Sequence, residues 1–92
     1  MIVRWTPTAL RDLESLHDYI SQDHAAAASA MVESILAGIA ELGRHPEMGR
    51  TGRAAGTREL VIPPYVVAYR ARRNAIEVVA IIHGARRWPN RF

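Results

Sequence analysis

The fold of this chain turns on residues 65–83, Tyr65-Val66-Val67-Ala68-Tyr69-Arg70-Ala71-Arg72-Arg73-Asn74-Ala75-Ile76-Glu77-Val78-Val79-Ala80-Ile81-Ile82-His83. Two runs rich in β-branched and aromatic residues, 65–72 and 75–83, flank Arg73-Asn74, a compact hairpin connection. In the second run Ile76, Val78, Ala80 and Ile82 alternate onto one face. The other face reads Ala75, Glu77, Val79, Ile81 and His83, which is too apolar to face water. The first run likewise sets Tyr65, Val67 and Tyr69 against Val66, Ala68 and Arg70, leaving apolar groups on both sides.

Working outward, residues 57–62 read as another strand, stopped by Pro63-Pro64, which must form a turn or a sheet edge. Residues 44–56 hold three arginines and three glycines without periodicity, and read as a loop. Gly84 ends the last strand and leaves the tail Ala85-Arg86-Arg87-Trp88-Pro89-Asn90-Arg91-Phe92. In the N-terminal half, residues 1–6 form a short strand, with Val3 and Trp5 on one side. Thr6-Pro7 opens a helix, Thr6 as cap and Pro7 at the first helical position. Its apolar stripe is Leu10, Leu13, Leu16, His17 and Ile20. A second helix starts from Asp23 and repeats Ala28, Met31, Val32, Ile35, Leu36, Ile39 and Leu42 at helical spacing. Gly43, at positive φ, and Pro46 are expected to end it.

The order is β-α-α-β-β-β: an α+β domain over residues 1–92, an antiparallel sheet with an N-terminal strand and a helical hairpin packed on one face. Two helices cover one face only. The other is expected to present Val79, Ile81 and their neighbours in a frame of arginines, the mark of a protein-binding surface.

Composition excludes several chemistries. There is no cysteine, hence no disulfide or thiolate metal site, and no lysine, since all twelve basic residues are arginine. The four histidines, His17, His24, His45 and His83, fall in separate elements without metal-ligand spacing, so neither a metal nor another cofactor is expected. No nucleophile elbow or glycine-rich phosphate loop occurs. No apolar run approaches a membrane span, and the N-terminus lacks a signal-peptide layout, so the expectation is a cytoplasmic chain without membrane contact. Charge is uneven. Residues 1–43 carry −4, whereas residues 44–92 set ten arginines against Glu47, Glu59 and Glu77 for +7, which predicts an anionic partner. Arginines at 58, 70, 72, 73, 86 and 87 with His83 could also support metal-free RNA cleavage, imidazole moving protons and guanidinium holding phosphate.

Collinear stretches across the chain resemble the ParE/RelE superfamily of type II toxin–antitoxin toxins, ParE more than RelE. They are Trp5-Thr6-Pro7-Thr8-Ala9, Asp12-Leu13, Asp18-Tyr19-Ile20, His45-Pro46-Glu47-Met48-Gly49-Arg50, Gly56-Thr57-Arg58-Glu59-Leu60-Val61, Pro64-Tyr65-Val66-Val67-Ala68-Tyr69-Arg70 and His83-Gly84-Ala85-Arg86-Arg87-Trp88-Pro89. The resemblance implies a hetero-oligomer with a small acidic antitoxin, seated on Leu60, Ile62, Val79 and Ile81, and DNA contact only through that antitoxin. ParE-like action implies inhibition of DNA gyrase by protein–protein binding, through Arg70, Arg72, Arg73, Arg86, Arg87 and Trp88, and without catalytic residues. RelE-like action implies cleavage of ribosome-bound messenger RNA, with His83, Arg58 and Arg86 as the catalytic set. Against it, Val66 stands where the resemblance calls for arginine, and Phe92 where it calls for a tyrosine able to exchange a proton. A third reading is a non-toxic partner module acting in repression of its own operon.

Overall fold

The computed structural model describes residues 1–89 and 91–92. Strand β1 (Ile2–Trp5) leads into helices α1 (Pro7–Ser21) and α2 (Ala25–Arg44). Strands β2 (Arg50–Thr51), β3 (Arg58–Ile62), β4 (Tyr65–Ala71) and β5 (Ala75–His83) follow. They form one sheet in the order β1-β5-β4-β3-β2. The expected α+β architecture is present, with two amendments. The sheet is mixed, because the helical hairpin returns the chain so that β1 runs parallel to β5, Ile2 opposite Ala75 and Trp5 opposite Val78. It also has a fifth strand, β2, inside the stretch read as loop; two residues, Arg and Thr, are too short to show a period.

Local chemistry explains the helix ends. The Thr6 hydroxyl accepts from the Ala9 N–H at 3.1 Å, capping α1, and donates to the Val79 carbonyl at 3.1 Å, so the cap also ties the helix to β5. The cap of α2 is His24 rather than Asp23: its Nδ1 accepts from the Ala27 N–H at 3.0 Å. Helix α2 runs through Gly43, which is not at positive φ, and ends at Arg44, just ahead of Pro46. Ala9, Leu16, Ile35, Ile39 and Leu42 reach the core, whereas Leu10 and Leu36 are 46% and 45% exposed. Contrary to expectation, α2 is long and apolar enough to match a membrane span, at a mean hydropathy of 1.5. Its alanines raise that average; its larger apolar residues at steps of three and four pack on the sheet.

Both sheet faces are covered. Tyr65, Val67, Tyr69, Ile76, Val78 and Ile81 join the helices in the main core. Ala68, Val79, Ala80 and Ile82 form a second cluster under Trp88 on the outer face. The even alternation of residues 75–83 is broken where Ala68 pairs with Ala80 but Tyr69 with Val78, leaving Val79 as an extra residue. This bulge swings Ile81 onto the helix side, with Ile76 and Val78. The expected bare patch is therefore corrected: Val79 and Ile81, each 4% exposed, lie in different clusters. Leu60 and Ile62 pack against the core beside Gly38 of α2, where an added Cβ would sit 2.7 Å from Ile62 Cδ1.

Candidate functional site

Strand β5 outruns its neighbour: β1 covers only residues 75–78, and beyond them α1 lies alongside. The Asp12 carboxylate accepts from the Ile81 N–H at 2.9 Å, satisfying a donor that no strand reaches. Next to it a groove of about 480 Å³ is lined by Asp12, Tyr19, Tyr65, Ile81, His83 and Arg86. His83 meets Tyr65 edge-on, ring centroids 5.5 Å apart at 80°. Its Nδ1 accepts from the Ala85 N–H at 3.1 Å, which leaves the proton of the neutral ring on Nε2. Burial, with a smaller contribution from Tyr19, pushes the Tyr65 phenol above its ordinary value of 10.0.

The residues of the nuclease set do not converge. His83 and Arg86 share the groove, but Arg58 lies elsewhere. His83 is opposite Tyr65 and Arg58 opposite Tyr69, four residues further along β4, about 13 Å away by strand rise. Arg58 is also occupied, donating to the Gly49 carbonyl at 2.7 Å and the Glu47 carbonyl at 3.3 Å. Beside it the Tyr69 hydroxyl donates to the Pro46 carbonyl at 2.7 Å and accepts from the Gly49 N–H at 2.9 Å. Burial raises the pKa of Tyr69, outweighing the hydrogen bond from Gly49 and the Arg58 charge. This phenol is a loop anchor.

The arginines expected to contact a target divide into two groups. Arg70 and Arg72 face Glu77 at 3.8 and 3.5 Å. With Arg73 they belong to the β4–β5 hairpin end. Arg86 and Arg87 follow the other end of β5, about 26 Å away along a nine-residue strand. Among the described residues no hydrogen bond or ion pair engages the exposed guanidinium groups of Arg73, Arg86 and Arg87. Trp88 is only partly exposed, because its ring turns inward onto the outer face of the sheet.

Sequence reading missed Glu59, whose side chain is 1% exposed. Its Oε1 accepts from Arg50 Nη2 at 2.8 Å and Nε at 3.1 Å, and its Oε2 from the Arg53 backbone N–H at 2.8 Å and Nε at 3.3 Å. The available signal was its place: an acid inside a strand of the arginine-rich half, a position shared only with Glu77. Burial alone would raise its pKa, but the Arg53 N–H and the two guanidinium groups together hold it below the ordinary 4.5. A lowered folded-state value adds stability above the unfolded pKa and loses it as pH falls through the folded one. Glu59→Gln should accordingly be less stable than the parent at pH 7, with the gap narrowing below pH ~4 in denaturant titrations.

The comparisons with known proteins agree with this architecture. The family model described as the ParE toxin of the type II toxin–antitoxin system parDE matches residues 3–88. Y4kP of Sinorhizobium fredii, named as a toxin, is 38% identical over 89 residues, 95% of this chain and 92% of that one. Toxin RelE2 of Caulobacter vibrioides is 37% identical over 84 residues, 91% and 96% of the two chains. Among solved structures, the chromosomal ParDE system of P. aeruginosa superposes with a TM-score of 0.78, covering 90% of this chain and 95% of that one; at 24% identity it speaks for the fold. The RelBE2 toxin–antitoxin complex of Mycobacterium tuberculosis gives a TM-score of 0.59 at 26% identity, over 89% and 95%. The chain thus belongs to the ParE toxin family and is a type II toxin–antitoxin toxin of the ParE/RelE superfamily.

Proposed function

We propose that this chain acts in the cytoplasm as a gyrase-directed toxin, binding DNA gyrase through protein–protein contact, and that a small acidic antitoxin neutralises it. The observation that carries this reading is the pair Arg86-Arg87: two exposed guanidinium groups, without hydrogen-bond or ion-pair partners among the described residues, at the end of β5 away from the arginines that Glu77 engages. Exposed like charges of this kind are suited to steering and gripping an acidic surface. The acidic antitoxin is drawn to the arginine-rich half, where Val61 of β3 is 44% exposed and offers it apolar contact. Of the sheet residues expected to receive it, Val79 and Ile81 are buried, whereas Leu60 and Ile62 are partly exposed. DNA contact, in this reading, runs through the antitoxin alone.

The purified chain is expected to inhibit gyrase supercoiling, to lose that effect when the antitoxin is added, and to leave ribosome-bound message uncut. A second reading keeps one observation of its own: His83 and Arg86 share the groove, and a relative at 37% identity carries the name RelE2. Codon-dependent cuts in primer extension, abolished by His83→Ala, with supercoiling untouched, would replace the first reading with messenger cleavage.

A further inference from the structure

The segment after β5 is held at two points. At its start, Gly84 N–H donates to the Pro64 carbonyl at 2.8 Å, and Arg86 N–H to the His83 carbonyl at 3.0 Å. At Trp88 it is held differently. The indole covers Ala68, Val79, Ala80 and Ile82, and the Arg53 guanidinium carbon lies 3.7 Å from the ring centroid. Trp88 is sandwiched between the sheet and a cation.

We propose that Glu59, acting through Arg53, is a positioning residue that fixes the path of residues 84–88 and so the presentation of Arg86 and Arg87. A free arginine side chain samples many rotamers. Here Glu59 accepts both the Arg53 backbone N–H and its Nε–H, which sets the plane of the guanidinium over Trp88. Arg50 neutralises the same buried carboxylate from the other side, so Arg53 keeps positive charge to give the ring face. Seating also has an opposing contribution. Trp88 Nε1 is buried without a hydrogen-bond acceptor among the described residues, so burying the indole leaves a donor unpaired. The seat therefore depends on the stack and on the small apolar residues beneath it. Loss of the stack frees the segment at one end, and the two arginines no longer sit at a fixed separation from the groove. Their importance for a target rests on the function proposed above; the seating itself does not.

The test uses the full chain. Trypsin cuts after Arg87, a bond accessible only when Trp88 leaves the sheet, and cleavage under native conditions tracks the population of the open form. Cleavage at Arg87, followed by mass spectrometry, is expected to rise roughly tenfold in Arg53→Ala and in Glu59→Gln. Arg53→Lys should fall between the parent and Arg53→Ala, since an ammonium still gives the ring a charge but not the planar stack. In a Trp5→Phe background, Trp88 emission should shift to the red in the same variants. Parental cleavage rates and emission in folded Arg53→Ala would overturn the proposal; that variant removes a half-exposed side chain and decides the matter even where Glu59→Gln fails to fold. Loosening without any loss of target inhibition would overturn the positioning role. A parent inactive on gyrase would instead defeat the proposed function, with the cleavage and emission results still deciding the seat.

Discussion

The double variant Arg86→Glu/Arg87→Glu is expected to lose roughly 100-fold of its potency in the supercoiling assay, and with it growth arrest on expression. Neither guanidinium has an intramolecular partner among the described residues, so reversal removes nothing that holds the fold. The thermal midpoint should stay close to the parent's. At a contact with an acidic partner, each reversal replaces attraction by repulsion. Like-charge juxtaposition costs several kcal/mol, and every 1.4 kcal/mol is about tenfold in affinity. The same change at Arg70 or Arg72 acts on a charge already facing Glu77, and Arg70→Gln or Arg72→Gln should cost far less. Unchanged potency in the double variant, measured by dilution series, would remove the arginine pair from the target contact.

Gly49→Ala should cost about 3 kcal/mol of stability, which for a domain of this size lowers the melting midpoint by roughly 12–24 °C. A Cβ at position 49 would lie 2.6 Å from the Tyr69 hydroxyl, 2.7 Å from Tyr69 Cε1 and 2.9 Å from the Glu59 carbonyl. None of these can yield cheaply. The tyrosine is fully buried and bonded to Pro46 and Gly49, and the carbonyl belongs to a strand. The displaced loop also carries the Glu47 and Gly49 carbonyls that receive Arg58. Gly38→Ala is the informative contrast. The atoms it meets first are the ends of the Ile62 and Leu60 side chains, which can rotate, and alanine gains about 1 kcal/mol in helix propensity. A net change within about 1 kcal/mol is expected there, read from the same melting experiment.

Much of the architecture could be read along the chain because it depends on neighbours. The Thr6-Pro7 start of α1 needs only a hydroxyl and a ring at adjacent positions. The β4–β5 hairpin needs only two apolar runs and a short link, and Ala75–His83 is found within its expected bounds. The start of α2 was missed by one residue because a histidine ring substituted for the neighbouring carboxylate as cap. Strand β2 was missed because Arg50 and Thr51 become a strand only when β3 lies beside them.

The site was less legible. The excess of arginine over acid in residues 44–92, and the lack of a thiol or an amine nucleophile, are properties of composition and hold in any fold. Which arginines are free is not such a property. Glu59 and Glu77 occupy four of them, backbone carbonyls a fifth and Glu41, one helical turn back, a sixth (Arg44); for the first five the folded sheet decides the pairing. One extra residue at Val79 sends Ile81 to the helices and leaves Val79 under Trp88, although both look equivalent in a strict two-residue alternation. Residue order by itself determined the elements, their sequence and the sign of the charge, since these follow from local sterics and side-chain identity. Tertiary structure alone decided which apolar and charged groups remain exposed, because burial and pairing depend on partners brought together from distant parts of the chain.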